Sequence, residues 1–253
     1  MEDHTQIKAD IKKAYDAIAP KYFTWTQNTH KVRLSYVAKL LHQLDGEATA
    51  SDADAHTTRT IPPVISTSPP PSAHILELGC GAGVPVTQLL AARPNTTVTA
   101  NDISSAQIAL ARSHLPASDS LTLEEGDMME LDFAPESLDA VLAMYSIFHL
   151  PRTEQVTMLK RIHGWLKPGG WVLMNFAAGE VERVSDGAWL GGREGTMHWS
   201  GWGVERTRKI VAEEVGWKIY IDEVRGDDEL EEDGSVKRVE FHWVMAQKPL
   251  SNT

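Results

Sequence analysis

The chain has 253 residues, a formal net charge of −11 and 42% hydrophobic content, enough for one large α/β domain, or a domain plus a cap, with a proper core. An acidic balance argues against DNA or RNA as partner, since nucleic-acid modifiers grip phosphates with a basic face, and no apolar run reaches the roughly 18 residues of a membrane span. One cysteine, Cys80, excludes an internal disulfide, and MEDHTQIKADIKK has neither the apolar core of a secretory signal nor the composition of a mitochondrial leader, so a cytoplasmic protein is expected.

Apolar positions recur at helical spacing in QIKADIKKAYDAIA and VRLSYVAKLLHQL, which predicts an N-terminal helical cap over residues 1–45. Residues 46–73 change character. They are rich in Ser, Thr, Ala, Asp and Pro with little to bury, and read as a flexible linker or insertion. Residues 74–250 are expected to form the main domain. Strands at HILELG, TTVTAND, LTLEEGD, LDAVLAMYS and GGWVLMNF alternate with helices such as SSAQIALARSHL and RTEQVTMLKRIHGWL, the pattern of a parallel sheet with right-handed crossovers. A glycine- and tryptophan-rich stretch, about 177–203, reads as a substrate lid. A helix over VERTRKIVAEEVG and two adjacent strands, WKIYIDEVR and VKRVEFHWVMAQK, close the chain, and the acidic run Asp227–Asp233 reads as a solvated loop.

The chemistry concentrates where HILELGCGAG passes into VPVTQLLAA. A buried strand, a glycine turn and a helix N-terminus make a site for a nucleoside-bearing ligand. The dinucleotide fingerprint GxGxxG/A requires Gly or Ala at position 84, where Val84 stands, so a nicotinamide-dependent oxidoreductase is disfavoured. Asp102 ends the second strand, 23 positions after Gly79. An acid at about that distance accepts hydrogen bonds from ribose hydroxyls, and Ser104 is available to cap the next helix in its place.

Glu77, Gly79, Gly81 and Gly83 spell ExGxGxG, which resembles motif I of the class I S-adenosylmethionine (SAM) methyltransferases. The resemblance runs from Tyr15 to Lys248, apart from the 46–72 segment. It implies an α/β fold: a seven-stranded, mostly parallel, doubly wound sheet with an antiparallel last strand and an N-terminal helical cap. It also implies SAM as cofactor. Gly79, Cys80 and Gly81 would then approach SAM through backbone, Glu77 would orient its methionine end, and Asp102 with Ile103 would flank the ribose. In EEGDMME, Asp127 would accept from the adenine amino group and Met128 pack on the ring. Met144, in AMYSIFHL, belongs to the backbone contacts of the fourth strand end. Tyr15 and Tyr22, in YDAIAPKYFTW, resemble the segment that folds over the cofactor in small-molecule members, with Tyr22 beside the reacting centre.

His149 is the candidate general base, since a histidine titrates in the range useful for taking an acceptor proton. Trp189, Met197, His198 and Trp199 would bind the substrate, forming an aromatic wall suited to a flat or greasy acceptor. No metal is expected: the Asp-Asn pair of metal-dependent catechol enzymes is missing. The expected function is methyl transfer to an O, N or S atom of a small organic molecule, such as a secondary metabolite, by a monomer or homodimer with no nucleic-acid or membrane partner. The alternative is a SAM-binding protein without methyl transfer, either cyclase-like or a non-catalytic partner subunit.

Overall fold

Ile7, Ile11, Ala14, Tyr15 and Ile18, recurring with helical periodicity, form the buried stripe of helix α1 (His4–Trp25). This arrangement is seen in a computed structural model of the protein, which describes residues 4–46, 72–230 and 234–250. A 3-10 turn, Thr26–Thr29, leads into α2 (His30–Leu44), where Tyr36, Val37 and Leu40 are buried. Of the expected linker, residues 47–71 lie outside the described residues.

The main domain then alternates: β1 (Ala73–Leu78), α3 (Val86–Ala91), β2 (Thr96–Asp102), α4 (Ser105–His114), β3 (Leu121–Glu125), β4 (Leu138–Ala143), α5 (Arg152–Trp165) and β5 (Leu166–Ala177). After an excursion through β6 (Glu180–Asp186) and β7 (Met197–Trp202) come α6 (Gly203–Lys209), a π turn (Ile210–Glu214), β8 (Lys218–Leu230) and β9 (Val236–Gln247). Seven strands form one sheet in the order β3-β2-β1-β4-β5-β9-β8. The pairs among β1 to β5 are parallel, and β9 runs antiparallel to both β5 and β8. The expected sheet, with its antiparallel last strand, is therefore observed.

Its central strands are continuous apolar runs because helices cover both faces. Leu76, Val141, Val172 and Met174 pack under α5 and the π turn with Met158, Ile162 and Ile210. Ile75, Ala140, Leu142 and Leu173 pack under α2, α3 and α4 with Leu40, Leu90 and Ile108. Tyr36 stacks on Trp243 at 4.0 Å between ring centres, fixing α2 to the sheet. Among the described residues no helix is long and apolar enough to cross a membrane.

One expectation needs correction, and one stretch has structure that the sequence analysis did not assign. Within 177–203, β6 and β7 pair into a separate two-stranded antiparallel sheet. The period-two signal of β6 is hidden because most of its residues are exposed, so apolar alternation never develops. The acidic run is not a solvated loop over Asp227–Leu230, which continues β8 opposite Val236–Val239; residues 231–233 lie outside the described residues. Charge pairing across the hairpin makes this strand possible. Arg238 donates to Asp228 at 3.0 Å, and Glu229 stands opposite Lys237. Asp227 itself is buried and accepts the Tyr145 hydroxyl at 2.5 Å.

Candidate functional site

Strand order reverses between β1 and β4, and an open parallel sheet binds ligands outside its carboxyl edge at such a switch point. A cavity of about 840 Å³, mouth included, lies there. Its floor is the turn after β1, where Gly79 (φ +73°) and Gly81 (φ +56°) adopt the left-handed conformation open to glycine. A Cβ on Gly79 would stand 2.5 Å from Ser146 Cβ, whereas the nearest atom to one on Gly81 would be 3.8 Å away, leaving that peptide facing open space.

Asp102 braces this turn. Its Oδ2 accepts from the Gly81 N–H and its Oδ1 from the Ser104 N–H, both at 2.9 Å. Ser104 caps α4 by accepting from the Gln107 N–H at 3.2 Å, so Asp102 is left to the cavity. Burial pushes its carboxyl up to about 6, although the two backbone donors pull the other way. At the end of β3, Asp127 accepts from the Met129 N–H at 2.9 Å and pairs with Lys8 at 2.5 Å. Asn101 ties the two strand ends by donating to the carbonyls of Glu124 and Gly126.

The helical cap covers the other side. Tyr15 and Tyr22 meet edge-to-face at 5.1 Å, and Tyr22 stacks on Trp25. His149, on the 3-10 turn after β4, is engaged at both ring nitrogens. Nδ1 lies 2.8 Å from the His198 carbonyl, which can only accept, so Nδ1 carries the proton and Nε2 accepts from the Tyr15 hydroxyl at 2.9 Å. Burial lowers its pKa to about 4, which keeps the imidazole neutral. Tyr15 has its pKa raised, first by burial.

Of the residues expected around the cofactor, Tyr15, Tyr22, Gly79, Cys80, Gly81, Asp102, Ile103, Asp127, Met128 and Met144 all line this one cavity, as does His149. Glu77 does not. It is buried behind the turn, where its Oε2 accepts the Thr87 hydroxyl of α3 at 2.7 Å. Burial pushes Glu77 up to about 7. A buried acid with a raised pKa contributes stability below its ordinary pKa that is lost as pH rises through the raised value. Glu77→Gln is therefore expected to raise the melting temperature at about pH 8 and to do little near pH 5, as circular dichroism melts would show. An equal shift at both pH values would contradict this.

The four expected substrate residues separate. Met197 is fully buried in an apolar seam with Ile7, Ile11 and Leu190 that fastens α1 to the β6–β7 hairpin, so it reaches no cavity. His198 points across the hairpin to Ser185, 2.8 Å away. Trp189 and Trp199 line a second cavity, described below, and their rings press on Tyr15, Tyr22 and His149.

Arg33, Lys8 and Tyr145 also line the first cavity and were not anticipated. Arg33 lies 4.7 Å over the Tyr145 ring. The signal for Arg33 was its place in the helical series 33, 36, 37, 40, where the other three members are buried apolar residues. A charge on that stripe needs a polar destination. Tyr145 had no such signal: it sits at φ +57°, held by its N–H donating to Asn175 at 2.6 Å.

Comparison with known proteins agrees with this geometry. The family described as Methyltransferase domain matches residues 75–170. A relative from Herpetosiphon aurantiacus, (+)-O-methylkolavelool synthase, is 26% identical over 171 residues, 66% of this chain and 56% of its own. Demethylmenaquinone methyltransferase of Symbiobacterium thermophilum is 37% identical over 108 residues, 40% of this chain and 41% of its own. The chain thus spans about half the length, or less, of these curated relatives. In fold it resembles a Burkholderia thailandensis methyltransferase solved with 1,6-didemethyltoxoflavin and S-adenosylhomocysteine, with TM-score 0.61 and 14% identity, over 98% of this chain and 92% of that one.

The cavity also fits SAM on its own chemistry. Buried polar atoms without a partner belong to its lining: both amide atoms of Gln107, Asn101 Oδ1, Ser146 Oγ and Arg33 Nε. Buried polar groups are normally satisfied, and the hydroxyls, ammonium and carboxylate of SAM offer the donors and acceptors that these atoms lack. Sheet order, matched domain and lining converge: residues 75–170 match the Methyltransferase domain family, and the cavity built at the edge of this sheet has a lining that suits SAM.

Proposed function

We propose that this cytoplasmic protein transfers the methyl group of SAM to an oxygen, nitrogen or sulfur atom of a small organic molecule of the secondary-metabolite kind. In this reading 74–250 is the catalytic domain and 177–203 its substrate lid. The observation that carries it is the aromatic enclosure of Tyr15, Tyr22, Trp189 and Trp199 beside the cavity's Arg33 end. The names of relatives that methylate small natural products support it.

When bound, SAM supplies an electrophilic methyl group on a positively charged sulfur. Asp102 is placed to accept from the ribose hydroxyls, and Asp127 and Met128 to meet the base. Arg33 and Tyr22 are placed to hold a carboxylate. The aromatic enclosure excludes water and fixes the approach of the acceptor, and such alignment supplies much of the rate in an in-line displacement. His149 meets an acceptor only through the Tyr15 hydroxyl, which covers its Nε2.

Formation of S-adenosylhomocysteine with a panel of thiols, phenols and amines tests the reading. Because the structure shows no unobstructed base at His149, the alternative of SAM binding without transfer has a specific basis; SAM binding with no product from any acceptor would favour it. His149→Ala is expected to leave SAM affinity nearly intact while lowering turnover. Unchanged turnover would show that no proton passes through the Tyr15–His149 pair.

A further inference from the structure

A second cavity, of about 1030 Å³ including its open mouth, lies between the β6–β7 hairpin and the extended β8–β9 hairpin. It is separated from the SAM cavity by a wall of paired aromatic rings. Trp189 stands 6.1 Å from Tyr15 and 5.7 Å from Tyr22, Trp199 stands 6.1 Å from His149, and Phe148 stands 4.9 Å from His149. The first-named ring of each pair lines the second cavity and the other lines the first.

The lining has a definite chemistry. Phe148 and Phe241 stack at 5.6 Å with 29° between their planes, and Trp199 joins them; Val181, Val184 and Val239 complete the apolar surface. Val184, 51% exposed, stands on the solvent side of this surface. Charge is confined to Asp186, Glu229, Glu240 and Lys237, so carboxylates outnumber cations three to one among the described lining residues. Glu229 and Lys237 face each other across the hairpin, which leaves Asp186 and Glu240 to set the sign. Aromatic faces and a negative rim attract planar and cationic groups and repel anions.

We propose that this second cavity holds the methyl acceptor, and that the acceptor is a flat aromatic molecule, neutral or basic rather than anionic. The proposal rests on the methyltransferase reading and extends it to a place and a substrate class. An acceptor lying against Phe148 and Trp199 would reach the SAM cavity through a shift of Trp189 and of the Tyr15 and Tyr22 rings packed behind it. Trp189 begins a turn in which Leu190 is held at φ +51° and is followed by Gly191 and Gly192.

The test is a fluorescence titration of the full chain, saturated with S-adenosylhomocysteine, with two planar probes: cationic proflavine and anionic anilinonaphthalene sulfonate. Proflavine is expected to bind, and Val239→Trp, which fills the cavity, to weaken it about tenfold or more. Val184→Trp at the exposed mouth provides a second variant on the opposite hairpin. S-adenosylhomocysteine affinity, measured by calorimetry, should be the same in all three proteins, which also verifies their folding. Proflavine binding unaffected by both variants, or sulfonate binding as tight as proflavine, overturns the proposal. Failure of the unaltered protein to bind S-adenosylhomocysteine overturns the methyltransferase reading instead.

Discussion

Asp102→Ala is expected to weaken SAM binding by about 1–3 kcal/mol, the scale on which a charged hydrogen bond is lost, or roughly five- to 150-fold in affinity. The effect has two sources. One is the acceptor offered to the ribose; the other is the Gly81 peptide, which Asp102 holds at 2.9 Å and which shapes the floor of the cavity. Asp102→Asn keeps an acceptor oxygen and removes the charge, so it should fall between the unaltered protein and the alanine variant. The unliganded carboxyl titrates near 6, so SAM affinity should fall as pH drops through that value. The stability of the unliganded protein moves the opposite way for this group: with its pKa raised, it contributes stability in acid that is lost as pH rises through about 6. Calorimetry with SAM across that range checks the first, and thermal melts of the unliganded protein check the second. Unchanged affinity in Asp102→Ala would remove the ribose assignment.

Gly195→Ala is expected to have the largest structural consequence. Gly195 has φ +70°, and a Cβ there would press on the Asp10 carbonyl oxygen and lie 2.5 Å from the Ala14 nitrogen and 2.9 Å from Lys13 Cβ. The first two are backbone atoms of α1, which cannot rotate away as a side-chain tip can. The substitution must lift α1 from the segment that leads into β7, and α1 carries Lys8, Tyr15 and Tyr22 into the cavity. A left-handed non-glycine residue adds about 1–2 kcal/mol, and each kcal/mol costs roughly 2–4 °C for a chain of this size. The expected result is a melting temperature lower by several degrees together with weaker SAM binding. Gly216→Ala separates the two contributions: it has φ +85° with open space around it, so it should show the strain without the loss of affinity. Equal losses of affinity from both variants would sink the argument.

Much of the cavity edge was legible because its residues lie in short contiguous motifs. The turn at Gly79–Gly83, Asp102 at the end of β2 and Asp127 at the end of β3 each follow from one strand ending where the next loop begins. Glu77 lies one layer behind the cavity lining: from the sequence a strand acid beside a glycine turn looks the same whether it lines a cavity or accepts from Thr87 of the following helix. Arg33 was missed for the opposite reason. It lies on α2, distant in sequence from every motif, and only docking of the cap against Tyr145 brings it to the cavity. The acidic segment 227–230 was misread because a charge run resembles a loop until Arg238 and Lys237 are seen across from it.

Local order follows from the chain's own periodicities and turns. Apolar alternation and helical spacing name the strands and helices, glycine supplies the left-handed turn, and serine caps α4, all through forces acting within a few residues. What those forces do not decide is which side chains meet across tens or hundreds of positions. The enclosure of His149 by Tyr15 and the His198 carbonyl, the burial of Met197 as a fastener, and the division of the aromatic residues between two cavities depend on how α1, the β6–β7 hairpin and the β8–β9 hairpin pack together. Burial is a property of the assembled surfaces, and in this protein it sets which tyrosine, histidine and carboxylate retain a face toward a ligand.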